Sequence, residues 1–159
     1  KPTIIFTTDE EVGAIGARQL VKDMPNGIPN VELKYIIQLD RRGSTDCVFY
    51  DCDNILFEEY VESFGFVTAY GTFSDISIIC PVWKVAGVNL SIGYIDEHSY
   101  SEILYIGNML ATIEKVVNML KDIEHVKEKF EYIPIYAKSD KYYNKQYLSG
   151  SSRMEVLRR

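Results

Sequence analysis

Short apolar runs of strand length alternate along the chain with longer stretches of helical composition. The first run, Thr3–Thr8, is β-branched and aromatic, which predicts a strand buried on both faces. Further strands are predicted at Leu33–Leu39, Cys47–Tyr50, Phe66–Ala69 and Gly87–Gly93. Helices are predicted at Val12–Lys22, Ile55–Phe64 and Ile76–Ile79. This alternation predicts an α/β sandwich with a mixed sheet.

The segment between the second and third predicted strands is short. It contains Arg41, Arg42, Gly43 and Ser44, a composition typical of a turn. A turn this short predicts that the two strands it joins form an antiparallel pair.

The longest periodic stretch follows His98. Ser99 and Glu102 form an S-x-x-E capping box, which predicts that a helix begins directly after the histidine. Apolar residues then recur every three or four positions, which predicts that this stripe packs on the sheet. The stripe consists of Ile103, Ile106, Leu110, Ile113, Val117 and Leu120.

Composition favours one folded domain, predicted over residues 1–122, followed by an extension over residues 123–159. The 159 residues are 47% hydrophobic and 25% charged, as is usual for globular proteins. The extension is basic and rich in tyrosine, and the sequence leaves open whether it docks on the core or is disordered. Because the first residue is Lys1 and an apolar run follows at once, we also expect the chain to begin inside a longer protein.

Charge and cysteine content exclude several classes of partner. A net charge of -6 argues against nucleic-acid binding and against a polybasic membrane patch. The three cysteines have no CxxC spacing, so we expect reduced thiols and a cytoplasmic protein. No apolar run approaches the roughly 18 residues of a membrane span.

Acidic and imidazole side chains follow three of the predicted strands. Glu10 and Glu11 come after the first strand, Asp40 after the second and His98 after the last. Because ligands bind beyond the carboxyl ends of strands in open α/β sheets, these groups are predicted to converge. Carboxylates and a neutral imidazole suit zinc, and also manganese or cobalt. One of two adjacent carboxylates can bind the metal while the other transfers protons.

Each residue alone also has an ordinary structural interpretation. Acidic residues at a helix start suit the helix dipole, and Asp40 beside two arginines is typical of a turn. His98 beside a capping box, and the only other histidine, His125, are typical of surface residues. Their shared position at strand ends is what favours a site.

The segment Thr7–Ala17, with its Asp9-Glu10-Glu11 turn, resembles the strand-to-helix motif of the zinc-dependent exopeptidases, which include aminopeptidase, carboxypeptidase and deacylase branches. The segment Asn89–His98 is similar to the strand that leads to that family's last histidine ligand. The resemblance covers roughly Thr3 to Leu120 and implies a three-layer sandwich. It implies that Glu10 is the general base, that Glu11 and His98 bind one zinc ion, and that Asp40 binds a second.

Two departures from the family pattern refine this expectation. Asp40 and His98 lie 58 positions apart, which is too close for an inserted dimerisation domain and favours the aminopeptidase-like branch. The family's His-x-Asp segment, which supplies two further ligands before the glutamate pair, is missing from this sequence. The sequence therefore predicts an incomplete site, in a truncated chain or in a degenerate relative.

The expected function is hydrolysis of a peptide amide near a free terminus. Ser74 and Asp75 are candidates for the substrate pocket, and Tyr94, Arg41 and Arg42 are weaker candidates for holding a substrate carboxylate or carbonyl. For Ser74 and Asp75 a simple helix cap is the alternative. Two other functions stay open: hydrolysis of a non-peptide amide or amine, and a non-catalytic binding module. The expected partner is a small peptide or amide, and homo-oligomerisation is left open.

Overall fold

Four α-helices and six short strands follow one another between residues 2 and 135, the part of the chain that this computed structural model describes. The helices are α1 (Ile15–Asp23), α2 (Ile55–Glu62), α3 (Asp75–Trp83) and α4 (Ile106–Asp122). The strands are β1 (Ile36–Arg41), β2 (Asp46–Val48), β3 (Val67–Thr68), β4 (Gly87–Ser91), β5 (Tyr94–Ile95) and β6 (Ile103–Leu104). The predicted α/β class is therefore confirmed.

The main sheet has four strands in the order β1-β4-β2-β3 and is mixed, as the sequence predicts. Strands β1 and β4 are parallel, as are β2 and β3, whereas β2 and β4 are antiparallel. All five residues of β4 are buried, because this central strand has strands on both edges and also lies against α3 and α4. Strands β5 and β6 form a separate antiparallel pair.

Two apolar clusters hold the helices. One contains Ala17 of α1 with Ile79 and Trp83 of α3. The other contains Phe57 of α2 and Met119 of α4, together with residues of β2 and β4. Burial of large side chains of this kind stabilises a fold by about 1.5–3 kcal/mol each.

The predicted first strand is wrong. Residues 3–8 have no strand assignment in the structure, and Phe6 is 92% exposed. A β-branched run becomes a strand only when a neighbour takes its backbone hydrogen bonds, and no strand among residues 2–135 does so here. Helix α1 also begins later than predicted, because Gly13 and Ala14 have left-handed backbone conformations.

The predicted pairing of the second and third strands is also wrong. Strands β1 and β2 run antiparallel, but β4 lies between them and pairs with both. The segment from Arg42 to Thr45 therefore crosses over one strand and is not a hairpin turn. The sequence around the turn carries no information about β4, which comes much later in the chain and inserts between β1 and β2.

Helix α4 does not begin directly after His98. Residues on either side of the loop 96–102 pair as β5 and β6, and the helix starts only at Ile106. The residues of the predicted capping box bond within the loop, where His98 N donates to Glu102 Oε2 (3.2 Å) and Ser101 N donates to Ser99 Oγ (3.1 Å).

The predicted packing face of α4 is wrong as well. Thr112 and Met119 are buried, whereas the predicted stripe is largely exposed, with Leu110 exposed to 56%. Gly93 explains the orientation, since a Cβ there would lie 2.8 Å from Asn108 Cβ and 2.9 Å from Met109 N. The helix therefore rests directly on Gly93 by its other face, and Thr112 Oγ1 donates to Ser91 O (2.7 Å).

The folded unit continues past Asp122. Phe130 N donates to Lys34 O (2.9 Å), and Ala86 N donates to Phe130 O (2.8 Å). The Phe130 ring packs on Phe57 with 5.0 Å between centroids. Residues 126–135 thus join the main core, and the rest of the predicted extension lies outside the described residues. No helix within residues 2–135 is long and apolar enough to cross a membrane.

Candidate functional site

A tight turn presents the two adjacent glutamates. Asp9 and Gly13 both have positive φ, and Ala14 N donates to Glu10 O (2.9 Å), which closes the turn. A Cβ on Gly16 would lie 2.6 Å from Thr8 N, so only glycine lets α1 approach the chain this closely. The local sequence therefore dictates the backbone that carries Glu10 and Glu11.

Asp40 sits at an irregularity at the end of β1. The β1–β4 ladder shifts register between Leu39 and Arg41, so Asp40 has no ladder partner. Its N–H instead donates to Asn89 Oδ1 (3.1 Å), and Gln38 Nε2 donates to one carboxylate oxygen (3.1 Å). Bulges of this kind redirect side chains and occur often beside active sites.

His98 lies in the loop between β5 and β6, with a left-handed backbone (φ 62°). Its Nε2 lies 3.5 Å from Glu11 Oε1. Both side chains are largely exposed, so as an ion pair they contribute little to stability.

These segments meet in one cleft of about 440 Å³, within the usual size range of ligand pockets. The predicted residues that line it are Glu10, Glu11, Asp40, Arg41, Ser74, Tyr94 and His98. The fold therefore brings these residues together, although Glu10 and Glu11 follow no strand among the described residues and His98 lies in the loop between β5 and β6.

The crowding of carboxylates shows in the pKa of Glu10. Partial burial, and then the negative charges of Asp40, Glu11 and Asp75, raise the pKa of this carboxyl to about 7, against a lowering effect of His98. The pKa of Asp40 is also raised, first by desolvation from the surrounding protein, although solvent reaches the carboxyl from the cleft. A carboxyl that titrates near neutral pH is suited to proton transfer.

Asp75 is buried beside this cleft and is only 4% exposed. One oxygen accepts a hydrogen bond from Thr7 Oγ1, and the other is buried without a hydrogen-bond partner. Asp75 does not line the cleft, so its effect there is through its charge on Glu10 and Asp40. The cap interpretation fits Ser74, which is the N-cap of α3.

The other predicted substrate-binding groups already have protein partners. The Tyr94 hydroxyl donates to Asp40 O (3.0 Å), and burial raises its pKa to about 12. Arg41 contacts Asp46 (3.5 Å) and donates to Tyr70 O (3.3 Å), while Arg42 pairs with Glu97 at 2.6 Å. These contacts build the cleft wall.

Sequence analysis missed Asn89, the buried residue beneath the cleft. Its side chain accepts from Asp40 N and donates to Tyr50 OH and to Ser74 Oγ, both at 3.2 Å. It therefore joins three separate segments of the lining. A single amide in a strand whose other residues are mostly apolar is the signal that could have found it.

Comparison with protein-family models, with curated protein sequences and with solved structures found no match to this chain. The interpretation of the site therefore depends on its own residues.

The fit of these residues to zinc is partial. Two ligands of a tetrahedral zinc, each about 2.0–2.1 Å from the metal, lie about 3.3 Å apart. The 3.5 Å between Glu11 Oε1 and His98 Nε2 is close to that value, and their donor chemistry suits zinc. However, residues 2–135 contain no group of three or more His, Cys, Asp or Glu placed to hold a metal. The described residues thus provide a pair of ligands but not a complete site.

Proposed function

We propose that this chain carries part of the active site of a metal-dependent exopeptidase of the aminopeptidase type. The observation that supports it is the meeting of Glu10, Glu11, Asp40 and His98 in one cleft. Of these, Glu10 also has a pKa near neutral, as a general base needs.

In this proposal Glu11 and His98 hold one zinc ion, and Asp40 holds a second. Manganese and cobalt are alternatives with the same ligand preference. Zinc, when bound, supplies Lewis-acid activation of the scissile carbonyl and of the attacking water. Because no three side chains within residues 2–135 are grouped to hold one metal ion, the proposal requires further ligands from outside these residues.

Glu10 carries the proton transfers. Its carboxylate accepts a proton from the attacking water, and the resulting carboxyl delivers it to the leaving amine, which restores the carboxylate. Partial burial, and then the charges of Asp40, Glu11 and Asp75, raise the pKa of Glu10 to about 7, so this group can both accept and release a proton near neutral pH.

We further propose the three-layer arrangement of the zinc exopeptidases for this fold. Its support is the division of the helices between two apolar clusters, with α1 and α3 in one and α2 and α4 in the other.

Zinc binding tests the ligand assignment. His98→Ala in the full-length protein should weaken zinc binding at least about tenfold in calorimetric titration, because it removes a direct ligand. His125→Ala is the matched control, since this other histidine is exposed and pairs with Asp122. Equal zinc affinity in both variants would contradict the proposal.

Turnover tests the role of Glu10. Glu10→Gln should reduce hydrolysis of leucine p-nitroanilide about 10²–10⁴-fold while zinc content stays unchanged. Near-normal turnover of the zinc-loaded variant would rule out Glu10 as the base. A wild-type protein that binds no metal and hydrolyses no amide would support the non-catalytic alternative.

A further inference from the structure

Charged and polar side chains, among them the carboxylates, the imidazole and the two arginines described above, line much of the candidate cleft. Besides Tyr94, three aromatic residues also line it, Tyr50, Tyr70 and Phe73. We call these three residues the aromatic wall.

The aromatic wall leaves apolar surface open to the cleft. Tyr70 is 84% exposed and Phe73 is 41% exposed. Aromatic side chains stabilise proteins mainly by being buried, so open rings inside a cleft are available to a ligand.

The loop that carries Tyr70 and Phe73 is held by its backbone, and Tyr50 packs against it. Arg41 donates to Tyr70 O (3.3 Å), and a Cβ on Gly71 would lie 2.9 Å from Val48 Cγ1 and 3.2 Å from Tyr50 Cε1. Ser74, directly after the loop, is fixed by Asn89 (3.2 Å). The loop is thus packed at its start, middle and end, and the wall is preorganised.

We propose that the aromatic wall binds the side chain of the substrate's amino-terminal residue, so that the site selects peptides beginning with a large apolar or aromatic residue. This inference rests on the proposed function. Position supports it, because Tyr70 and Phe73 line the same cleft as Glu10, the proposed base, which must lie beside the substrate's first peptide bond. A substrate with a short or charged first side chain gains no such apolar contact.

Binding can be measured without turnover. We expect the zinc-saturated full-length protein carrying Glu10→Gln, which lacks the proposed base and so does not consume the ligand, to bind L-phenylalaninamide at least about tenfold more tightly than glycinamide, as hydrophobic pockets discriminate by about 10–200-fold. The binding constants come from NMR titration of the protein with each amide.

Substitutions in the wall should remove this preference. Phe73→Ala and Tyr70→Ala should each reduce the preference for L-phenylalaninamide to within about threefold. Tyr100→Ala is the matched control, because Tyr100 is a fully exposed tyrosine that does not line the cleft. Each substitution is made in the Glu10→Gln protein, and no preference in that parent, or an equal effect of all three substitutions, would overturn the inference.

Hydrolysis of the p-nitroanilides of phenylalanine, leucine, glycine and glutamate separates this inference from the proposed function. A binding preference without turnover supports the aromatic wall and contradicts the enzyme. Turnover of all four anilides at similar kcat/KM supports the enzyme and contradicts the wall. If the protein shows no binding preference and no turnover, both the inference and the proposed function are contradicted.

Discussion

The hydroxyl of Thr7 donates a hydrogen bond to the buried carboxylate of Asp75, a residue 68 positions further along the chain. Thr7 lies just before the turn that carries Glu10 and Glu11, in a segment that pairs with no strand among the described residues. Asp75 opens α3 on the cleft side of the sheet. This bond therefore fixes the glutamate turn against the rest of the fold.

Loss of the Thr7 hydroxyl should destabilise the protein. Thr7→Val keeps the side-chain shape but leaves Asp75 without its hydrogen-bond donor, so we expect the free energy of unfolding to fall by about 1–3 kcal/mol. Urea denaturation measures the change. Thr8→Val is the control. Thr8 is exposed, so this substitution should lower the free energy of unfolding by less than about 0.5 kcal/mol. A Thr7 variant as stable as this control would show that the bond contributes nothing.

The raised pKa of Glu10 makes a prediction about stability and pH. Its pKa is about 7 in the folded chain against 4.5 for an unperturbed glutamate, so between these values the folded state holds the proton more tightly. The stability from this group is complete below about pH 4.5 and is lost as the pH rises to 7.

Glu10→Gln should consequently be more stable than the wild type at pH 8, and the difference should shrink toward pH 5. The measurement is urea denaturation between pH 5 and 8 with a chelator present, so that metal binding does not contribute. Glu128→Gln, at an exposed site, should show no such trend. A pH-independent difference for the Glu10 variant would contradict the raised pKa.

The three cysteines should be unreactive in the folded protein. Burial raises the pKa of Cys47 to about 11 and also raises those of Cys52 and Cys80. At pH 8 the thiolate fraction of Cys47 is roughly 100-fold lower than that of a free cysteine, and burial also blocks access to the thiol. We expect Ellman's reagent to detect all 3 thiols only after denaturation. A thiol that reacts within seconds in the native protein would show that one of these sites is open.

The two faces of α4 should respond differently to truncation. Met119 is fully buried and Leu110 is 56% exposed. Met119→Ala should cost about 2–5 kcal/mol of unfolding free energy, whereas Leu110→Ala should cost less than about 1 kcal/mol. Similar losses of unfolding free energy for the two variants in urea denaturation would contradict packing by the face that contains Met119.

Local backbone features were determined by the sequence alone. Gly13 permits the left-handed turn after the glutamates, and Gly16 permits the close approach of α1 to Thr8. Asn54 caps α2 by accepting from Phe57 N (3.1 Å), and β4 forms within the predicted strand Gly87–Gly93. Such features depend on neighbours a few residues away, so composition and spacing are enough to predict them.

Tertiary structure decided what depends on distant partners. Strand β4 inserts between β1 and β2. Gly93 lets the backbone of α4 come into close contact at this position, which determines the face by which the helix is buried. An apolar stripe shows that a helix is amphipathic, but it does not show which contacts the sheet offers.

The same division applies to the candidate site. The sequence by itself identified Glu10, Glu11, Asp40 and His98 as candidates, from residue type and strand-end position. Only the fold brings them into one cleft and raises the pKa of Glu10, since burial and the charge of Asp75 act through space. Asn89, whose hydrogen bonds join the segments of that cleft, acquires its role only once β4 lies beneath them.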